Sequence, residues 1–246
     1  MVLRKNVIRA SKYFLLVKIK RSLQLSCKNL PTKYKIDPKF PDIRLIDAAV
    51  EVLRDGGLII YPTDTVYGIG SNAMNAEAVL KIFKVKRRPP NQSLPVAISS
   101  IEMAENIAYV TKVAKKLMEK FWPGALTIIL RSKGVLPPEV TARENSVGIR
   151  IPNHEVPLAI IRRAGFPLIS TSANIHGMPS PITADEAAKQ FGQDVNIVLD
   201  AGVTKLHVSS TVIDLTASPP VVSRGGPISI DSIKAIIGEV LIAATK

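Results

Sequence analysis

LIIYPTDTVYGIG, residues 58–70, is the stretch on which the reading of this chain turns. Its first five residues, LIIYP (58–62), form an apolar run short enough for a buried strand and closed by Pro62. Just upstream, Asp42 can cap a helix. Its apolar positions Ile46, Ala49, Val50 and Leu53 follow the helical period, and Gly56 and Gly57 stop it. Helix, then buried strand, is the first unit of an alternating α/β chain. Beyond Pro62, Thr63 and Thr65 offer hydroxyls and Tyr67 an aromatic face with a polar tip. Gly68 and Gly70 would let the backbone turn close to a ligand. Taken alone, this segment also suits an ordinary strand and turn.

The alternation continues outward. Strands are expected at LPVAI (94–98), ALTIIL (125–130), SVGIRI (146–151), FPLIST (166–171), NIVLD (196–200), STVIDL (210–215) and PVVSR (220–224). Helices are expected at 76–86, 100–108, 111–121, 156–164, 183–191 and 229–240. With 246 residues and 46% apolar content the chain can build a sizeable core. The fold class is α/β, a single domain around a twisted mixed sheet. No repeat, low-complexity run or linker follows residue 41.

The net charge of +13 suggests nucleic acid until it is divided along the chain. Residues 1–40 hold eleven Lys/Arg and only Asp37 as an acid, whereas the remainder holds twenty-two against nineteen. Residues 1–31 therefore read as a basic extension, poorly ordered, preceding a domain over 32–246. Its composition, acid-free to residue 30 and containing several serines, also fits a mitochondrial presequence or an RNA-touching arm. The lone Cys27 allows no intrachain disulfide and no cysteine-based metal site. A reducing, cytoplasmic setting is the expectation, with no membrane-spanning stretch.

Two motifs carry the chemistry. KVKRRP (84–89) is a cationic cluster closed by Pro89 and Pro90, with Gln92 and Ser93 in the following loop. A charge run is ordinarily a solvated face, but here the prolines fix the backbone that presents Lys86 and Arg88. STSAN (170–174) sets Ser170, Thr171, Ser172 and Asn174 at a strand end, as turn chemistry or as ligand contacts. Cations with small neutral hydrogen-bonding groups suit a polyanion such as a nucleoside triphosphate. His154, His176 and His207 lie in dissimilar contexts, so no Ser-His-Asp arrangement is expected. Arg150, on an otherwise apolar or small-residue strand, needs an anion, either a structural carboxylate or a ligand. Arg224, before two glycines, raises the same question. Trp122 ends a helix and belongs in the core.

PTDTVYG, KVKRRP, FWPGALT, SVGIRIP, STSAN-x-x-G-x-P-S, SSTVIDL and SRGG follow in order from about Thr32 onward. Together they resemble the YrdC family of L-threonylcarbamoyladenylate synthases. The resemblance implies a single α/β domain with a deep positively charged groove. It also implies a nucleotidyltransferase reaction joining L-threonine, bicarbonate and ATP into threonylcarbamoyl-AMP and pyrophosphate, for tRNA modification by a downstream threonylcarbamoyl transferase complex. By the same carry-over, Thr65, Arg150, Ser170 and Ser210 would surround L-threonine. Lys86, Arg88, Gln92, Ser146, Ser172, Asn174, Ser180 and Arg224 would contact ATP, with Lys86 and Arg88 the catalytic cations. Mg2+ would accompany the triphosphate, its protein ligands unassigned. Relatives often carry Asn where Gln92 stands, and longer ones His at Ala97, near threonine. Two other readings compete: an RNA-binding module using the same basic groove, with weak tRNA contact as a lesser form of it, and carbamoyl transfer from another donor.

Overall fold

The structure is a computed structural model that describes residues 31–243. The expected basic extension, except for Pro31, lies outside the described residues. The elements alternate as the apolar pattern dictates. They are β1 (Thr32–Lys35), α1 (Ile43–Arg54), β2 (Ile59–Tyr61), β3 (Gly68–Gly70), α2 (Ala76–Lys86), β4 (Val96–Ala97), α3 (Ile101–Ile107), α4 (Lys112–Phe121), β5 (Leu126–Arg131) and β6 (Ser146–Arg150). There follow α5 (Glu155–Ala164), β7 (Leu168–Ile169), β8 (Thr171–Ser172), α6 (Ala184–Phe191), β9 (Ile197–Asp200), β10 (Thr211–Asp214), β11 (Val221–Arg224), α7 (Ile230–Ile237) and β12 (Leu241–Ile242). Asp42 caps α1 as its position suggests, accepting from the Arg44 amide. Among the described residues no helix is long and apolar enough to cross a membrane.

The strands form two mixed sheets, ordered β1-β9-β2-β3-β8 and β12-β11-β10-β5-β6-β4-β7. The expected strand FPLIST is their seam. Along one edge, residues 168–172 run antiparallel to 68–72, with Ser172 opposite Gly68 and Leu168 opposite Asn72. Along the other edge, Leu168 and Ile169 pair with Ala97 and Val96. Ser170 sits at the changeover, its amide donating to the Pro95 carbonyl.

Side-chain alternation assigns the faces. Val147, Ile149, Ile128, Leu130 and Ile213 point into the main core, where α2, α4, α6 and α7 pack. Ile59, Tyr61, Ala97 and Leu168 point the other way into a second core under α1 and α5. That second core stops at β4. Over β6, β5 and β10 the same face carries Gly148, Arg150, Thr127, Ile129 and Val212, and these residues line a cavity.

Gly68 and Gly70 differ from the expected turn. Both lie within β3, and neither has a positive φ. A Cβ at Gly70 would stand 2.7 Å from the Ile169 carbonyl and 2.8 Å from the Tyr61 ring, and one at Gly68 3.1 Å from that ring. The close approach is to Tyr61 and the seam strand, so packing accounts for Gly70, while Gly68 also lines that cavity. Helix α7 is also shorter than 229–240, ending where Gly238 takes φ +82° and leaving Leu241–Ile242 to pair with β11.

Candidate functional site

The cavity, about 250 Å³, lies where the two sheets meet. Thr63 and Thr65 from the loop after β2 line it, as do Arg88, Ser93 and Pro95. From the sheets come Thr127, Ile129, Gly148, Arg150, Ser170, Ser172, Ser210, Val212 and Arg224. Of the residues singled out in the sequence, Thr65, Arg88, Arg150, Ser170, Ser172, Ser210 and Arg224 therefore converge here. Lys86, Gln92, Ser146, Asn174 and Ser180 do not line it.

Each arginine is held differently. Arg150 is buried at the end of β6. Its Nε donates to the Gly124 carbonyl (2.8 Å), Nη1 to Thr65 Oγ1 (2.9 Å) and Nη2 to Asp64 Oδ1 (2.5 Å). The anion that Arg150 needs is thus a structural carboxylate, Asp64, which also accepts from the Asn153 amide. Sequence reading missed Asp64 because hydroxyls and glycines dominate PTDTVYGIG. A lone buried-strand arginine, Arg150, was the signal that could have found it.

Arg224 reaches the cavity through an irregularity. Simple alternation would put it on the same face as Val222, in the main core. Register shifts between β10 and β11, so that Ile213 pairs with Val222 but Val212 pairs with Arg224. This bulge turns Arg224 onto the cavity face, as bulges beside functional sites do. Its Nε and Nη2 then donate to the carbonyl and hydroxyl of Ser210 (3.0 and 3.1 Å), and Ser210 Oγ lies 2.8 Å from Thr127 Oγ1. Arg88 donates only to the carbonyls of Gln92 and Ser93. Among the described residues neither Arg88 nor Arg224 has a carboxylate partner. Burial lowers the pKa of all three guanidiniums, and Arg224 is lowered further by the charges of Arg150 and Arg88. They remain cations that repel one another across the cavity.

Lys86, expected to contact ATP, stands behind the cavity wall. It is the last residue of α2, almost fully buried, and Arg87 caps the helix in the left-handed conformation (φ 51°). Lys86 Nζ donates to the carbonyls of Ser172 (2.5 Å) and Asn174 (2.6 Å), tying α2 to the STSAN turn. Burial first, and then the charge of Arg88, push its pKa down to about 7. Asn174 has a similar task. Its Nδ2 donates to the Ile175 and Met178 carbonyls, and its Oδ1 accepts from the Ser172 hydroxyl. Ala97 is buried in the second core with Tyr61 and Leu168 and does not line the cavity. Tyr61 is fully buried, and burial pushes its phenol up to about 12.

No histidine lines the cavity: His154 caps α5 through Nδ1, and His176 and His207 are exposed. Trp122 packs in the core as expected and donates to the Leu126 carbonyl. Among the described residues no group of three or more His, Cys, Asp or Glu could hold a metal ion. The cavity thus presents, among the described residues, guanidiniums and hydroxyls, and no histidine.

Residues 51–226 match the family model described as "Telomere recombination", which groups the Sua5, YciO and YrdC proteins. Threonylcarbamoyl-AMP synthase of Pyrococcus abyssi is 40% identical over 80% of this chain and 58% of its own length. That of Bacillus subtilis is 41% identical over 79% and 57%. The chain thus spans under three-fifths of the length of these two relatives. Among solved structures, P. abyssi Sua5 complexed with L-threonine superimposes with a TM-score of 0.83 at 37% identity, over 86% of this chain and 62% of that one. Escherichia coli YciO gives 0.77 at 28% identity, over 83% and 100%. With a family model over most of its length and relatives at about 40% identity, the chain belongs to the Sua5/YciO/YrdC family.

Proposed function

We propose that the protein is an L-threonylcarbamoyladenylate synthase, joining L-threonine, bicarbonate and ATP into threonylcarbamoyl-AMP and pyrophosphate. The observation that carries the reading is the convergence of Arg88, Arg150 and Arg224 on one cavity lined with hydroxyls and lacking a histidine base. Threonine's amine and bicarbonate condense, with loss of water, to an N-carboxylate. One of its oxygens attacks the α-phosphorus of ATP, and the bond to pyrophosphate breaks. Alignment and charge neutralisation supply most of such a barrier reduction. The residues suit that division of labour.

Arg150, with two N–H groups left after its three bonds, would take the threonine carboxylate, and Thr65, Ser170 and Ser210 would surround the rest of the amino acid. Arg88 and Arg224 would neutralise the phosphates, with Ser172 beside them. Lys86 and Asn174 would serve indirectly, holding the turn that presents Ser172. Gln92, Ser146 and Ser180 would act at the nucleotide's periphery. The residues present form no cage for Mg2+, so an ion arriving with the triphosphate would be held by phosphate oxygens and water. The product would pass to a threonylcarbamoyl transferase complex acting on tRNA, in the cytoplasm, with at most weak tRNA contact here.

The test is pyrophosphate release from ATP. It should require both L-threonine and bicarbonate. Release independent of threonine, or binding of RNA with no such release, would end this reading.

A further inference from the structure

Three guanidiniums share one cavity, yet among the described residues only one has a carboxylate. Asp64, itself buried, contacts Arg150 through Nη2 and ignores Arg88 and Arg224, which donate to neutral oxygens only. The pair is well built. Asp64 Oδ1 also takes the Asn153 amide at 3.2 Å, and Thr65 Oγ1, hydrogen-bonded to Thr63 Oγ1 at 2.9 Å, takes Arg150 Nη1. The guanidinium plane is thereby fixed on three sides, with one N–H on each terminal nitrogen left over. A phosphate group and a carboxylate would meet this arrangement differently. A multiply charged phosphate is drawn to uncompensated cations, and a neutralised Arg150 gives it little. A singly charged carboxylate gains from two oriented N–H donors even where the net charge is near zero.

We infer that Asp64 sorts the cavity: by pairing with Arg150 it reserves that guanidinium for an amino-acid carboxylate and leaves the polyphosphate to Arg88 and Arg224. Asp64 is thus a positioning and specificity residue that touches no substrate. The inference rests on the synthase reading above. It adds what that reading lacks, a reason why ATP does not occupy the threonine end.

Calorimetric titration of the unaltered protein with inorganic pyrophosphate and L-threonine provides the test. Pyrophosphate should bind without displacing threonine. In Asp64→Asn, which keeps the shape but removes the charge, Arg150 loses the charge-assisted bond that orients its two free N–H donors, and threonine affinity should fall about tenfold. Pyrophosphate should now compete with threonine, and Asp64→Glu should reverse both effects. A merely structural role for Asp64 would weaken threonine without creating that competition, and this outcome overturns the inference. So does displacement of threonine by pyrophosphate from the unaltered protein, a result available even where the Asn variant does not fold. Should the unaltered protein bind both ligands independently yet release no pyrophosphate from ATP, the synthase reading falls and the sorting role stands.

Discussion

The end of α2 and the floor of the seven-stranded sheet both bury cations, and they do so in opposite ways. On the floor, Arg150 meets Asp64 and keeps two donors for the cavity. At the end of α2, Lys86 is also buried and has no carboxylate partner among the described residues. Its ammonium is spent on two backbone carbonyls, while Arg88, two residues on, faces the cavity. Two cations of one motif thus separate into a brace and a side chain that faces the cavity. What a buried cation does depends on where its donors already point, and charge in the sequence does not report that.

The largest test of this contrast is Arg88→Ala. Arg88 is half-buried and bonds only to loop carbonyls, so its loss should leave the melting temperature nearly unchanged. Threonine-dependent pyrophosphate release should drop by about a hundredfold or more, the scale of a lost donor to developing negative charge. Near-normal turnover would remove Arg88 from the nucleotide and leave the contrast without its second half.

Lys86→Met should act on the fold before it acts on the reaction. With its pKa depressed to about 7 by burial, native Lys86 sheds its proton well below the ordinary lysine range. The penalty for burying the charge is full below pH 7 and is relieved as pH rises from about 7 toward 10, so the unaltered protein gains stability over that window. The neutral amine still donates to Ser172 and Asn174, whereas methionine leaves those carbonyls bare at about 1–3 kcal/mol each. Thermal melts of the ligand-free proteins should therefore diverge with rising pH, the variant falling behind. Parallel but offset melts would show that Lys86 does not titrate in this window, and coincident melts that the brace is not structural.

Much of this architecture was legible beforehand, and the exceptions share a cause. Asp42, Gly56 and the apolar period located α1, and every strand expected from an apolar run was found, although β12 was not anticipated. β1, reading TKYK, is half-exposed and polar on alternate residues, so only its pairing with β9 makes it a strand. β3 is two glycines around one isoleucine, which looks like a turn until the Tyr61 ring is placed against it. Seven of the residues singled out, Thr65, Arg88, Arg150, Ser170, Ser172, Ser210 and Arg224, line the cavity, and they were legible because arginines and hydroxyls stand out by type. Their division of labour was not. Asp64, the bulge that turns Arg224 and the carbonyls under Lys86 are facts of register and long-range contact, separated from their partners by many residues.

Asn174→Ala sharpens the contrast on the other side of the brace. Losing the bonds to Ile175 and Met178 should cost about 1–3 kcal/mol and speed hydrogen exchange at the Met178 amide, which donates to Ile175. Substrate binding at Arg150 should hardly change, because that end of the cavity is fixed from the sheet. A large loss of threonine affinity would mean that the turn and the floor are coupled more tightly than their separate hydrogen-bond sets indicate.

The smallest effects belong to Ser146 and Ser180. Both are half-buried and neither lines the cavity, although Ser146 begins the strand that carries Gly148 and Arg150 on the same face. Rise per residue along a strand puts it roughly 13 Å from Arg150, beyond the reach of an amino acid held there and near the far end of a nucleotide. Replacing either hydroxyl by alanine should change the KM for ATP by about twofold, the scale of an isolated surface change. A tenfold rise for either would mean that the walls draw in around bound ATP and bring that hydroxyl to it. The contrast would then extend from two fixed cations to a cavity whose nucleotide end closes while its Arg150 end stays still.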